Sequence, residues 1–298
     1  MPELPEVETI RKGLEPHVVG QIITNVTAAD CRIFKVHPRL LESLSGQRIH
    51  GLNRRGKFLI TKLDRHYLVF HFGMTGQLTF RHPNRSDSEI FNRHPVTGLQ
   101  RILQHAPDQH THLQIHLKGG GALLFRDIRK FGKVFLIEKQ KHILQDFFCR
   151  LGLEPFTSSY NFRAFLEGFH KRKLRIKSLL LDQHFVAGIG NIYADEALFQ
   201  AKIHPARTVQ SLRLWEKEAL FKSIPMVLSE GIDHGGTTLR DYVQSTGETG
   251  SHQENLKVYG QKGKPCYQCK TIIKKIMMSQ RGTHFCPTCQ PRSGCPRN

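Results

Sequence analysis

Between residues 20 and 140 the chain is written in short runs where apolar and polar residues alternate, such as Phe58-Leu59-Ile60-Thr61-Lys62-Leu63 and Tyr67-Leu68-Val69-Phe70-His71-Phe72. A period of two puts successive side chains on opposite faces of a strand, and many such short runs are the pattern of a β-sandwich. The pattern changes on either side. Before it, Met1-Pro2-Glu3-Leu4-Pro5-Glu6-Val7-Glu8 predicts a helix start, with Pro5 at the first helical position and Glu6 and Glu8 in the first turn, where the helix dipole favours anions. After it, 177–182 and 192–199 read as two helices separated by Val186-Ala187-Gly188-Ile189-Gly190-Asn191, whose glycines permit a tight turn and whose Asn191 suits an N-cap. Near the C-terminus, 271–278 is β-like and Ser279-Gln280-Arg281-Gly282 supplies turn chemistry, which predicts a hairpin with Arg281 at its tip. No apolar run approaches the ~20 residues of a membrane-spanning helix, and the N-terminus lacks a basic segment followed by an apolar one. A cytoplasmic chain of two or three domains is the expectation for 298 residues of this kind.

Charge narrows the partner. Lys and Arg number 44 against 25 Asp and Glu, a formal net charge of +19, so the chain attracts polyanions, phosphate backbones foremost. Five basic residues in Lys171-Arg172-Lys173-Leu174-Arg175-Ile176-Lys177 stand where such a backbone could lie, just ahead of a glycine turn and helix start that present free N–H groups to a phosphate. The seven cysteines are an odd number, which argues for a reducing compartment rather than a disulfide framework. Four are spaced as a metal site: Cys266-x-x-Cys269, sixteen residues, then Cys286-x-x-Cys289. Four thiolates suit a closed, tetrahedral, structural Zn²⁺ with no open position for catalytic water. From Lys257 to the C-terminus there are nine Lys or Arg and no Asp or Glu, so this finger is itself a positive patch. Cys31, Cys149 and Cys295 are left over, and buried or inert thiols are the expectation for them.

The N-terminus carries candidate chemistry. Removal of Met1 would free the secondary amine of Pro2 beside the Glu3 carboxylate. An α-amino group titrates near pH ~8, so an appreciable fraction is nucleophilic at neutral pH. Condensed with an aldehyde carbon, a secondary amine gives an iminium cation, which is an electron sink. This role and the helix-start role are compatible.

The ordered set 2–8, Gly56-Lys57-Phe58-Leu59, Gly188-Ile189-Gly190-Asn191-Ile192-Tyr193, Gly235-Gly236-Thr237-Thr238-Leu239-Arg240-Asp241 and the four-cysteine finger resembles the formamidopyrimidine-DNA glycosylases along nearly the whole chain. The resemblance implies an α+β multidomain protein. Its parts would be an N-terminal catalytic β-sandwich flanked by helices (1–140), a helical helix-two-turn-helix domain (150–230), a lesion-recognition loop region (231–256), a zinc β-hairpin (257–291) and a tail (292–298), with DNA in the cleft between the domains. It also implies a monomer acting on double-stranded DNA that carries a damaged base or abasic site, nucleoid-associated if bacterial, with one structural Zn²⁺ on Cys266, Cys269, Cys286 and Cys289 and no organic cofactor. Pro2 would attack C1′ of a flipped-out nucleotide, Glu3 would protonate the opening sugar, and Lys57 and Arg281 would assist the β- and δ-eliminations. Met74, Arg129 and Phe131 would fill the hole left by the flipped base, Arg129 facing the estranged cytosine, while His110, Arg172 and Asn191 would contact phosphates. Taken by residue type alone, Met74 and Phe131 would instead be core.

The chain departs from the family pattern in places. The stretch 81–109 is long and carries scattered histidines (His82, His94, His105), which reads as a solvated loop. Ser251 and His252 stand where an aromatic follows the glycine, Gln261 where Arg is usual, and Lys270 where Gly commonly follows the first knuckle. Two alternatives stay open: an oxidised-pyrimidine glycosylase of the endonuclease VIII type, and a non-catalytic zinc-dependent nucleic-acid binder.

Overall fold

The computed structural model describes all residues except 29–31, 36–37, 84–89, 95–97, 103–106, 171, 238–249 and 294–298, with backbone alone at 38–39, 90–94 and 98–102. Cys31, Lys171, His105, Cys295 and the Thr238–Asp241 part of the Gly-Gly-Thr motif therefore lie outside the described residues. The chain divides into two compact units, one formed by Met1–Cys149 with Ile232–Gln253 and the other by Arg150–Gly231 with Glu254–Asn298. No helix among the described residues is long and apolar enough to cross a membrane.

The first unit contains, in order, α1 (Leu4–Val18), β1 (Ile23–Ala28), α2 (Pro38–Glu42), β2 (Gly51–Arg55), β3 (Phe58–Lys62), β4 (His66–His71), β5 (Gly76–Arg81), β6 (Ile90–His94), β7 (Gly98–Ile102), β8 (Thr111–Leu117), β9 (Ala122–Asp127), β10 (Lys133–Glu138) and α3 (Ile143–Phe147). Two antiparallel four-stranded sheets, ordered β1-β8-β9-β5 and β10-β4-β3-β2, make the expected sandwich. Their inner faces supply Phe70, Phe72, Leu113 and Phe125 to a core that α1 completes with Val7, Ile10, Leu14 and Val18, the three- and four-residue spacing of one helical face. α1 starts one residue earlier than the pattern predicts, so Pro5 occupies its second position, still a place where no N–H is needed. One expectation is corrected. The stretch 81–109 is not all loop, because β6 and β7 pair antiparallel with Ile90 opposite Ile102 and His94 opposite Gly98. β-Branched and aromatic residues such as Ile90, Phe91 and Ile102 lie between the scattered histidines. His82, at the start of this stretch, packs edge-on against the rings of His17 and Phe80.

The second unit holds α4 (Phe162–Glu167), α5 (Ile176–Leu181), α6 (Asn191–Gln200), all but the last two residues of the long α7 (Leu214–Asp233), and the hairpin β11 (Lys274–Met278) and β12 (Arg281–Phe285). Rings of Tyr160, Phe165, Phe169, Phe185 and Phe221 pack around α4. Phe199 of α6 joins Val258, Cys266, Ile273 and Cys286 in a small core beneath the hairpin.

Candidate active site and nucleic-acid interface

At the start of α1 the Glu3 side chain accepts the Glu6 N–H while the Glu6 carboxylate accepts the Glu3 N–H at 2.8 Å, a reciprocal capping box. Pro2 is buried, and Glu3 with it. The second Glu6 oxygen accepts the N–H of Thr237 at 2.8 Å, so one carboxylate ties the helix start to the Gly235-Gly236-Thr237 segment. The sequence places Glu6 in the first turn as a partner of the helix dipole; its capping-box role is signalled by a Glu three residues after the cap, whereas its bond to Thr237 is not legible locally.

Lys57 sits in the two-residue turn between β2 and β3, where Arg55 pairs with Phe58 and Gly56 takes a left-handed φ of +54°. Its side chain is only 6% exposed. Arg54 braces the turn, donating to the Gly56 carbonyl at 3.2 Å and to Glu8 on α1 at 3.0 Å, and Arg11 bridges Glu8 and Glu15. Burial alone would raise the Glu8 carboxyl pKa, but the bonds and charges of Arg11 and Arg54 outweigh it and hold it below its ordinary value. The ion-pair ladder therefore anchors the Lys57 hairpin to the helix that Pro2 and Glu3 immediately precede.

His71, across from Phe58, reports the local field. Burial, then the charges of Lys57 and Lys133, push its imidazole down to about 4, and its Nδ1 accepts the Gly73 N–H at 3.3 Å. It is a neutral ring in a positive neighbourhood. Unfolded, this histidine titrates near 6.5, so the unfolded chain takes up its proton first. Its stabilising contribution is complete above pH 6.5 and is lost as pH falls towards 4. Urea unfolding is expected to lose roughly 2 kcal/mol from this group between neutral pH and pH ~5. His71→Gln keeps the acceptor without the charge and should flatten that limb; equal slopes in both chains would contradict the assignment.

Met74 and Phe131 are 44% and 50% exposed, not core as residue type suggests. They meet at Arg129, whose Nη1 lies 3.3 Å from the Met74 sulfur and whose guanidinium sits 4.6 Å over the Phe131 ring. The close approach of their two loops needs glycine. Gly73 has a φ of +58°, and a Cβ there would lie 2.5 Å from the Phe131 carbonyl carbon. His110 is half-buried in a turn where Asp108 accepts its N–H at 3.0 Å and pairs with Arg126 at 2.7 Å.

In the second unit the turn between α5 and α6 uses Gly188 at a φ of +96°, braced by Gln183, which accepts the Gly188 N–H and donates to the Ile189 carbonyl. The N-cap is Gly190, and Asn191 is the first helical residue, contrary to expectation. Its side chain is engaged elsewhere, donating at 3.0 Å to the carbonyl of Gly282, the residue after Arg281. Arg172 is half-engaged by Asp182 at 2.8 Å. Lys177 corrects the reading of a basic run lying along a backbone: it is 1% exposed and pairs with Asp195 at 2.6 Å while donating to Thr283 Oγ1 at 2.9 Å and the Gly282 carbonyl at 3.2 Å. Asp195 also accepts the His284 N–H at 2.8 Å. This ion pair is a strut between α5, α6 and the hairpin, invisible in sequence because its partners are 18 and more than 100 residues away. Lys177→Met, which strands the Asp195 charge, is expected to cost about 3–5 kcal/mol in chemical unfolding; a loss under ~1 kcal/mol would place the strut at the surface. Neighbouring Glu196 accepts the N–H groups of Lys257, Val258 and Tyr259, and burial raises its carboxyl to about 7 against those bonds.

The hairpin turns at Ser279 and Gln280, with φ of +48° and +60°, so Arg281 opens the returning strand rather than forming the tip. Two non-glycine residues in that region cost about 1–2 kcal/mol each, the kind of strain found beside functional side chains. The Sγ atoms of Cys266, Cys269, Cys286 and Cys289 all lie within 4.8 Å of one another, with pairs at 3.9 and 3.4 Å. Tetrahedral zinc with Zn–S bonds of ~2.3 Å needs S···S distances of about 3.8 Å, so the four thiols form a site for one zinc ion. Lys270, after the first knuckle, has a φ of +62°, which is why glycine is usual there. Of the leftover cysteines, Cys149 is exposed rather than buried.

A β-sandwich bearing an N-terminal proline and acid, a helix-two-glycine-turn-helix element and a four-cysteine hairpin defines a nucleic-acid-processing protein with a structural zinc. Family patterns match three segments in order: the formamidopyrimidine-DNA glycosylase N-terminal domain at residues 1–134, the formamidopyrimidine-DNA glycosylase H2TH domain at 151–243, and the zinc finger found in FPG and IleRS at 263–292. The formamidopyrimidine-DNA glycosylase of Enterococcus faecalis is 41% identical over 303 residues, covering 99% of each chain, and that of Bacillus cereus is 38% identical over 301 residues, covering 98% of this chain and 100% of its own. Among solved structures, Lactococcus lactis Fpg in complex with abasic-site DNA superposes with a TM-score of 0.84 at 36% identity, covering 97% of this chain and 99% of that one. Wild-type Lactococcus lactis Fpg with an oxidised-pyrimidine-containing DNA superposes with a TM-score of 0.84 at 35% identity, covering 97% of this chain and 100% of that one. The chain belongs to the formamidopyrimidine-DNA glycosylase family.

Proposed function

We propose that this chain is a base-excision repair enzyme that removes oxidised purines, 8-oxoguanine and formamidopyrimidines, from double-stranded DNA and then cleaves the abasic strand. The observation that carries the reading is the buried N-terminal pair, with Glu3 held by the capping box next to Pro2. A damaged base is out of reach inside the duplex, so the nucleotide is first flipped out at a cost of about a few kcal/mol. Once Met1 is removed, the Pro2 nitrogen attacks C1′ and the C1′–N bond to the base breaks, its electrons leaving with the base, which takes up the proton that the amine gives up. Glu3, as a carboxylic acid, gives its proton to the ring oxygen as the sugar opens, and the Pro2 nitrogen becomes an iminium. That cation acidifies the C2′ hydrogens; loss of one breaks the C3′–O bond, and a second elimination breaks the C5′–O bond. Both phosphates leave as anions. Lys57 and Arg281 stabilise them; for a guanidinium, whose pKa exceeds ~12, charge stabilisation is the physically easier role than proton donation.

Met74, Arg129 and Phe131 enter the stack where the base has left, with Arg129 hydrogen-bonding the estranged cytosine. His110, Arg172 and Asn191 hold phosphates and set register without reading sequence. The 231–256 region serves lesion recognition, the four cysteines hold a zinc that fixes the Arg281 hairpin, and the enzyme works in the cytoplasm on nucleoid DNA. Incubation with abasic-site DNA and borohydride should trap a covalent complex; its absence would leave only the non-catalytic binder. A second reading, preference for oxidised pyrimidines, is kept in view by the L. lactis complex with oxidised-pyrimidine DNA. Excision of 8-oxoguanine opposite cytosine is expected to exceed that of thymine glycol, and the reverse order would favour this second reading.

A further inference from the structure

Asp127 is fully buried at the end of β9, yet it is central to the exposed DNA-facing side chains. Its Oδ1 accepts a hydrogen bond from the Thr75 hydroxyl and another from the Arg129 N–H at 3.2 Å, and its Oδ2 accepts the Gly132 N–H at 2.6 Å. The Thr75 oxygen in turn accepts the Arg129 N–H at 3.1 Å. The backbone of Asp127 is engaged as well: its N–H donates to the His110 carbonyl at 2.9 Å, and its carbonyl accepts from Nε2 of the buried His112 at 2.9 Å. One carboxylate thus clamps the loop that carries Met74, through Thr75, to the loop that carries Arg129 and Phe131. Lys130, between those two, has a left-handed φ of +57°, a conformation this clamp sustains. Both of its oxygens act as acceptors, so the Thr75, Arg129 and Gly132 donors around it are satisfied at once.

We infer that Asp127 is a positioning residue that holds Met74, Arg129 and Phe131 as one unit for insertion into the base stack and for reading the opposite base. The inference rests on the function proposed above. Asp127 touches neither DNA nor the Pro2 amine; it acts through the geometry of the three side chains. Asp127→Asn keeps shape but turns an amide N–H₂ towards groups that are themselves donors, and Thr75→Val removes the bridging hydroxyl with less risk to folding.

Two substrates separate the roles. On a single-stranded abasic oligonucleotide nothing is flipped and no opposite base is read, so borohydride trapping by both variants is expected within about twofold of wild type. On a duplex with 8-oxoguanine opposite cytosine, excision is expected to fall by about 10–100-fold, the scale of a lost charged hydrogen bond. The preference for cytosine over adenine opposite the lesion is expected to shrink, and Thr75→Ser, which keeps the hydroxyl, should restore both. Duplex excision unchanged in both variants, or equal losses on both substrates in Thr75→Val, would overturn the role of Asp127. A wild-type chain that traps no abasic DNA would refute the enzymatic reading, and this inference with it.

Discussion

A preparation of the chain that retains Met1 is expected to trap no abasic-site DNA under borohydride and to release 8-oxoguanine at least about 10⁴-fold more slowly than processed chain, the scale on which a covalent nucleophile is lost. With Met1 present, the Pro2 nitrogen is a tertiary amide whose lone pair is delocalised into the carbonyl, so it can neither attack C1′ nor become an iminium. Met1 itself is 46% exposed while Pro2 beneath it is buried, so the residue to be removed is accessible and the amine it uncovers is sheltered. The capping box and the Glu6 bond to Thr237 do not involve Met1, and the fold should survive either way. Mass spectrometry of the N-terminus alongside trapping and excision assays checks the prediction. Efficient trapping by chain shown to carry Met1 would remove Pro2 from the mechanism and turn attention to a lysine amine. Glu3→Gln preserves an acceptor for the Glu6 N–H but has no proton to give, and should slow base release by roughly 10²–10⁴-fold, the usual contribution of a positioned acid.

Loss of zinc is expected to have the next largest effect. β11 and β12 are five residues each, and a two-stranded hairpin of that length has marginal stability alone. Beside the Lys177–Asp195 strut and the Asn191 bond to Gly282, its anchor is the small core that includes Cys266 and Cys286, and without the metal the four clustered sulfurs lose the ion that holds them together. Structural zinc contributes on the order of 10 kcal/mol to folding in small fingers, far more than the contacts of this core supply. Chelation, or Cys286→Ser, should therefore free the hairpin, misplace Arg281, and weaken binding to abasic-site duplex on the order of 10²-fold at moderate salt. One zinc per chain should be released. Fluorescence anisotropy before and after verified metal removal provides the measurement, and unchanged affinity would refute the role. Trapping on single-stranded abasic DNA, which needs Pro2 in the other compact unit, should be much less affected.

Much of the molecule is legible in short stretches of sequence. α1 follows from a proline, two acids and an apolar stripe, and the sandwich strands follow from alternation. The metal site follows from two C-x-x-C pairs, because the ligands of each knuckle are near neighbours and only one closure brings four thiols together. The resemblance that named the family rests on motifs of a few residues each. All of these depend on interactions within a turn or a strand, so local covalent order is enough to reveal them.

Other features depended on groups far apart in the chain. Sheet order places β1 beside β8 and β9 beside β5, pairings set by which apolar faces meet and not by adjacency. Lys177 looked like one more cation on a basic run, and only packing against Asp195 and Thr283 made it a buried strut. Met74 and Phe131 looked like core, and were left exposed because Asp127, Thr75 and Gly132 fix the backbone of their loops from below. By itself, then, the sequence determined the first helix, the alternating strands of the sandwich, the zinc ligands and the identity of the chemical groups, while the β6–β7 pair inside 81–109 and the cap at Gly190 came only with the structure. The tertiary structure decided which charges are buried, which apolar residues face outward and which carboxylate holds them there, since desolvation and hydrogen-bond satisfaction are properties of assembled surroundings and not of residue type.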